Sequence, residues 1–320
     1  MSDLPAQPRV SVVMPAYNHA PYIRRAIESV LDQDYPNLEL LVVDDGSRDG
    51  TWDVIQTVLA ESGGRFRAFS QANCGVCKTI NRAVKLSTGE FVALLASDDY
   101  YLPGKISAQV EMFRDASDKL ALVHTSAYLD YQNGAPLEDL TGSYRPAVGL
   151  CFEQILTQAV RVVAPSIMFR RTVFDRLGGF DENLAAEDVD FFLRIAAEGS
   201  AFGYIDRPLM AKTVVEGSGG SQLRRLIRVH EQIAEKYRDR LSSREFERQY
   251  NLMHEHLIIL AAGAGDYRLA SEAALARVKA QHSFTPLWTL ARWSARSAIL
   301  GALPSSVRHR LRLFRAKVRS

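Results

Sequence analysis

Three hundred and twenty residues give enough chain for one large domain or two ordinary ones. With 47% hydrophobic, 24% charged and 9% aromatic residues, and only three cysteines, the composition excludes a disordered chain and a disulfide scaffold and points to a reducing compartment. The formal charge of +2 conceals an acidic body and a basic end: ten basic and no acidic residues follow Glu272, which leaves residues 1–272 with a net −8.

The run Val10 to Met14 is β-branched and apolar, stops at Pro15, and predicts a buried strand. A second run, Leu38 to Val43, stops at Asp44-Asp45-Gly46-Ser47 and predicts another. Between them, Ile23, Ala26, Ile27, Val30 and Leu31 have helical spacing over 21–33. The alternation continues with a helix at 51–60, a strand at 66–70, a helix at 78–86 and a strand at 91–95. This rhythm predicts an α/β fold whose mostly parallel sheet is flanked by helices, with a ligand site beyond the carboxyl ends of the strands. The loops 15–18, 44–48 and 96–99 all fall on that edge. A helix at 103–115, a strand at 120–125, a surface loop at 133–149, a strand at 166–169, a turn at 178–181 and a helix at 186–198 follow. From Gln222 onward the pattern is helical alone, so the chain is expected to divide into 1–218 and an all-helical C-terminal region, 219–320.

An α/β chain invites a dinucleotide-binding reading, which needs Gly-x-Gly-x-x-Gly after the first strand. That position reads Pro15-Ala16-Tyr17-Asn18, so a dehydrogenase is excluded, and no Walker loop is present. The strand ends carry carboxylates instead: Asp44-Asp45, Asp98-Asp99, and Glu187-Asp188 at the start of a later helix. Crowded carboxylates repel one another unless a cation sits among them. Each pair also has a plain structural reading, the first two as strand-ending turns and the third as helix-dipole partners. Cys74 and Cys77 have the spacing of a redox or half-zinc motif but lack a second pair, and His254 and His256 are two apart, facing differently on a helix.

Taken together, Val12 to Asn18, Val43 to Ser47 with Asp49-Gly50, Asn73, Gly75, Asn81, Gly89-Glu90, Leu95 to Asp99, Gly178 to Glu182, and Glu187-Asp188 with Arg194 resemble the family 2 glycosyltransferases, which have the nucleotide-sugar-binding GT-A fold. The resemblance covers about residues 9 to 210. It implies an inverting enzyme that moves a sugar from a nucleoside diphosphate, UDP- or dTDP-linked by preference, to a hydroxyl of a glycan or lipid-linked acceptor. Cell-surface polysaccharide such as lipopolysaccharide is the implied product, and rhamnose a candidate sugar.

The resemblance also distributes roles. Pro15, Ala16, Tyr17 and Asn18 form the donor loop, and Asp45 accepts an N–H of the base. Asp98 binds the donor's ribose or sugar, and Asp99 holds Mn²⁺ or Mg²⁺. Asp188 is the general base, with Glu187 as the secondary acceptor-side carboxylate. Lys78 either supplies positive charge to the diphosphate or is a solvated helix lysine. The chain departs from the family pattern at Ala96, Ile80 and Glu216, where many members carry Asp, Arg and His. A nucleotidyltransferase, or a catalytically silent nucleotide- or glycan-binding module, is the alternative.

No secretion-signal layout opens the chain, and the apolar run Trp288 to Leu303 is short and broken by Arg292 and Arg296. A cytoplasmic protein without a spanning helix is expected. In the final segment, Val307, Leu311, Phe314 and Val318 form one stripe among Arg308, Arg310, Arg312, Arg315, Lys317 and Arg319. That layout suits peripheral attachment to the anionic inner face of the cell membrane, or docking of the stripe on the protein's own body. No nucleic-acid partner is expected.

Overall fold

Val10–Ala16 (β1) lies at the centre of the sheet, and Val10, Val12, Val13 and Met14 are wholly buried. Burial on both faces is what a continuous apolar run in a parallel strand requires. The computed structural model describes residues 5–156, 159–184 and 187–214, with a few positions between 232 and 239, and the Glu187 side chain is not among the described groups. The chain divides into two units, Met1–Glu216 and Gly217–Ser320, and the elements below belong to the first. The expected C-terminal helices, His254, His256, Glu216 and the basic tail lie outside the described residues.

After β1 come Ile23–Leu31 (α1), Leu38–Asp44 (β2), Thr51–Glu61 (α2), Arg67–Ser70 (β3), Val76–Leu86 (α3), Phe91–Leu94 (β4), Tyr100–Tyr101 (β5) and Lys105–Asp115 (α4). Then follow Leu120–Asp130 (β6), Glu138–Asp139 (β7), Phe152–Leu156 (α5), a 3-10 turn at Ala164–Ser166, Met168–Arg170 (β8), Arg171–Leu177 (α6), Glu187–Ala197 (α7) and Ala201–Thr213 (β9). The helices form where apolar residues recur at helical spacing. In α1, Ile23, Ala26, Ile27 and Val30 turn one buried face to the sheet.

The strands order as β3-β2-β1-β4-β8-β6-β9-β5, with β7 paired to β6. The ladders β3·β2, β2·β1, β1·β4 and β6·β9 are parallel. β8 is antiparallel to both neighbours, β4 and β6, so the two parallel groups run the same way and their strands end on one edge. That edge gathers Ala16, Asp44, the loop after Leu94, Asp130 and Thr213.

β9 is the main departure from the sequence reading, which leaves 201–213 without a strand. Asp206 and Arg207 are exposed. The register with β6 shifts there, from Thr125 opposite Ile205 to Ser126 opposite Pro208. A bulge absorbs the two residues and pairing resumes beyond it. β6 runs on to Asp130 rather than stopping at 125, because β9 extends beside it. The 133–149 loop contains the two-residue β7, and α5 and α6 are short helices the periodicity does not reveal.

Candidate active site

The three loops at the sheet edge are tied to one another by their own side chains. Asn18, in the left-handed region at φ 55°, donates its N–H to Ser47 Oγ (2.9 Å) and accepts from the Arg48 N–H through Oδ1 (2.9 Å). His19 N–H donates to Thr51 Oγ1 (2.8 Å), and Ala20 N–H to Asp49 Oδ2 (3.0 Å). From the third loop, Ser97 Oγ lies 2.8 Å from His19 Nδ1. Tyr17 stands exposed at the rim, with Pro15 and Ala16 behind it as the last residues of β1.

Asp45 is 4% exposed and occupies the N-terminus of α3. Its Oδ1 accepts from Gln71 Nε2 (2.8 Å) and the Cys74 N–H (2.9 Å), and its Oδ2 from the Gly75 N–H (2.9 Å). Burial alone would push this carboxyl up, but the bonds from Gln71, Cys74 and Gly75 outweigh it and hold the group below its ordinary value. Asp45 therefore fixes the 71–75 loop. Gly46 makes the approach possible: at φ 74° its missing Cβ would lie 2.8 Å from the Asn73 backbone nitrogen. Next to it, Asp44 is 1% exposed and its Oδ1 has no hydrogen-bond partner. Lys78 is exposed on the first turn of α3.

Asp98 and Asp99 end the loop after β4. Asp99 is 2% exposed and its Oδ1 accepts the Thr213 N–H (2.9 Å). Burial, and then the Asp98 carboxylate beside it, push the Asp99 carboxyl up to about 7. Two adjacent carboxylates, one of them buried, create the electrostatic condition that a divalent cation relieves. The Asp98–Asp99 pair fits such an ion as a partial oxygen-ligand set. Among the described residues no group of three or more His, Cys, Asp or Glu is placed to hold a metal, so the remaining ligands would be phosphate oxygens and water.

Sequence reasoning misses the frame behind Asp99. Arg25 of α1 pairs with Asp130 Oδ2 (3.0 Å), donates to Thr213 Oγ1 (3.0 Å) and lies 4.0 Å from the centre of the Tyr100 ring. The Tyr100 hydroxyl donates to the same Asp130 oxygen (3.0 Å). The ends of β6 and β9 are thus clamped to α1 and β5, and the Thr213 N–H is aimed at Asp99. No local motif announces this cluster, since its members are up to 188 positions apart.

The segment entering α7 is pinned to α3. Asn81 Nδ2 donates to Phe180 O (2.9 Å) and Glu182 Oε1 (3.0 Å), its Oδ1 accepts the Phe180 N–H (2.8 Å), and Cys77 Sγ lies 3.6 Å from Leu184 O. Glu187 and Asp188 therefore follow directly on a stretch held by the helix whose N-terminus Asp45 occupies. Asp188 is half-buried and its Oδ1 accepts the Val189 N–H (2.8 Å). Asp190, on the same turn, is wholly buried and paired with Arg194 at 2.7 Å. Arg194 thus serves the fold, and Asp188 is the carboxylate of the two that reaches solvent.

Residues 11–178 match the family model described as glycosyl transferase family 2. An uncharacterized glycosyltransferase of Rickettsia typhi is 30% identical over 220 residues, 65% of this chain and 64% of that protein. A putative teichuronic acid biosynthesis glycosyltransferase of Bacillus subtilis is 36% identical over 132 residues, 41% of this chain and 52% of its own. Against the most similar curated relatives the chain spans between about a third and two thirds of their length. Among solved structures, a mannosyltransferase from Pyrobaculum calidifontis in complex with GDP-Man and Mn²⁺ superposes with a TM-score of 0.63 at 22% identity, over 92% of this chain and 83% of that one. The fold is of the GT-A type.

Proposed function

The chain belongs to glycosyl transferase family 2, and from that premise we propose that it is an inverting, divalent-cation-dependent transferase. It moves a sugar from a nucleoside diphosphate to a hydroxyl of a glycan or lipid-linked acceptor in surface-polysaccharide synthesis. The observation that carries the reading is the shared sheet edge. Asp45 opens the loop after β2 there and Asp98 and Asp99 close the loop after β4, and the stretch before α7 is held to α3.

In this reading the loop Pro15–Asn18 and Asp45 receive the base, and Asp98 receives a donor hydroxyl. A uracil or thymine, whose ring N–H a carboxylate accepts, suits Asp45. Asp45 Oδ2 takes one backbone bond and has acceptor capacity left. Asp99 would hold the cation, which when bound would neutralise the departing diphosphate without a proton. Asp188 takes the proton of the acceptor hydroxyl as that oxygen attacks the anomeric carbon, a contribution of about 10²–10⁴ in rate. Lys78, exposed at the start of α3, supports a diphosphate contact only in this context. Rhamnose as the sugar, the cytoplasmic membrane face as the location, and lipid attachment through the basic tail complete the proposal.

The test is thermal stabilisation by UDP, dTDP and GDP and their sugar conjugates, with Mn²⁺ and with EDTA. Stabilisation by a pyrimidine diphosphate that EDTA abolishes is expected. In the same system Asp188→Asn is expected to keep nucleotide binding and lose at least 99% of turnover. Equal stabilisation with EDTA would overturn the cation role, and wild-type turnover in Asp188→Asn would move the base to Glu187.

A further inference from the structure

His19 follows the donor loop directly and has no role in the reading above. Its backbone is held on both sides: the N–H donates to Thr51 Oγ1, and the carbonyl accepts from the N–H groups of Tyr22 (2.9 Å) and Ile23 (3.0 Å) as α1 begins. The ring crosses from the first loop to the third. Nδ1 lies 2.8 Å from Ser97 Oγ, and Nε2 lies 3.9 Å from Asp98 Oδ2. Ser97 is 1% exposed, so its hydroxyl is a fixed point rather than a mobile surface group. The His19 and Asp98 side chains are 31% and 25% exposed and meet at the opening of the site.

The chemistry of the ring follows from what it faces. A carboxylate on the Nε2 side favours the tautomer with its N–H there, and Nδ1 then accepts the Ser97 hydroxyl proton. The Ser97 bond consequently sets the ring plane and aims the Nε2–H at Asp98. At 3.9 Å the pair is beyond hydrogen-bond distance but within Coulombic reach. Asp98 lies beside a second carboxylate, Asp99, and a hydrogen-bond donor facing it offsets part of their repulsion. Among the described residues the His19 ring is the one basic side chain within 4 Å of Asp98.

We propose that His19 is a positioning residue for Asp98: held by Ser97, it fixes one carboxylate oxygen and leaves the other presented to the donor's hydroxyls. The inference rests on the reading of Asp98 as a donor ligand. It also makes the first and third loops one unit, so that the base-binding and hydroxyl-binding parts of the site keep a fixed spacing.

Two variants of the full chain separate this role from a structural one. Asn at position 19 reaches Ser97 from the place of Nδ1 but has no atom where Nε2 faces Asp98, whereas Gln extends a donor toward that place. Affinities for UDP, dTDP and GDP in the presence of Mn²⁺ are to be measured by calorimetry, with melting temperatures alongside. The expected result is that H19N weakens the nucleotide that wild type prefers about tenfold at unchanged melting temperature, and that H19Q recovers most of the loss. Wild-type affinity in H19N would overturn the inference, and so would equal weakening in both variants with a fall in melting temperature, which would mark a purely structural contact. A wild-type chain that binds none of the three nucleotides would overturn the donor-site reading and this inference with it.

Discussion

Asp99 carries a conflict between stability and binding. Its carboxyl is raised from 3.8 to about 7 in the folded protein by burial and by Asp98. A carboxyl raised on folding stabilises the protein below its unfolded pKa, and that contribution is lost as pH rises through the folded value. The window is therefore about pH 4 to 7, and at pH 8 the ionised side chain opposes folding unless a cation offsets it. Asp99→Asn keeps an oxygen for the Thr213 N–H and removes the charge. In EDTA at pH 8 it is expected to melt above wild type, with the gap closing toward pH 4, while losing stabilisation by nucleotide with Mn²⁺. A lower melting temperature for the variant at pH 8 would show that the charged form is already compensated. Asp45 illustrates the opposite balance, since fixed N–H groups hold it ionised and it needs no cation.

At the scale of elements, the junction of α3 with the stretch before α7 decides where Asp188 stands. Gly179 sits at φ 84°, and a Cβ there would lie 2.7 Å from Asn81 Oδ1 and 3.0 Å from Phe174 Cζ. Gly179→Ala is expected to cost about 2 kcal/mol or more, from left-handed strain and the displaced amide. That is a fall of roughly 5 °C in melting temperature for a unit of this size. Gly178, at φ 76° with nothing within 4 Å of its Cβ position, is the control. Gly178→Asn is expected to cost less than about 1 kcal/mol. Equal melting temperatures for Gly179→Ala and wild type would mean that Asn81 does not fix the turn.

The same comparison shows what the sequence makes legible. The strand-helix alternation through β4, the three loops at the carboxyl edge of the sheet, and the pairs at 98–99 and 187–188 all follow from local pattern and short motifs. Asn81 and the Gly178-Gly179 turn appear in the sequence as separate signals, and only the fold reveals that they touch. β9 is hidden because a bulge breaks its period-2 pattern at Asp206-Arg207. The clamp of Arg25 on Asp130, Tyr100 and Thr213 is hidden because nothing in one segment specifies its partners. The His19–Ser97–Asp98 contact is the intermediate case: a histidine immediately after Asn18 is visible, but its ring direction depends on how two distant loops are brought to one edge.

For the whole molecule, the acidic body and basic end predict different behaviour in the two parts of the chain. Eight basic residues and no acidic ones follow His282. Near an anionic surface each contributes about 1 kcal/mol at best, and salt screens it. Removal of residues 304–320 is therefore expected to abolish salt-sensitive binding to anionic vesicles in a co-sedimentation assay. Nucleotide binding and melting temperature should remain nearly unchanged. A large loss of stability with vesicle binding intact would instead indicate that the stripe from Val307 to Val318 docks on the protein.

The position of β8 has a consequence for the order in which the chain folds. Three residues, Met168–Arg170, stand between the two parallel groups, pairing with β4 on one side and β6 on the other. A chain leaving the ribosome can complete β3-β2-β1-β4 from local βαβ connections while β8 is still unmade. Until then β4 and β6 each have an open edge, and these are template edges for mispairing. The loop 133–149 and the short helix α5 set the delay before that gap is filled. The β3-β2-β1-β4 half is thus the early-forming part by topology, and joining it to the remainder waits on a non-local strand insertion, the slow kind of step in sheet assembly.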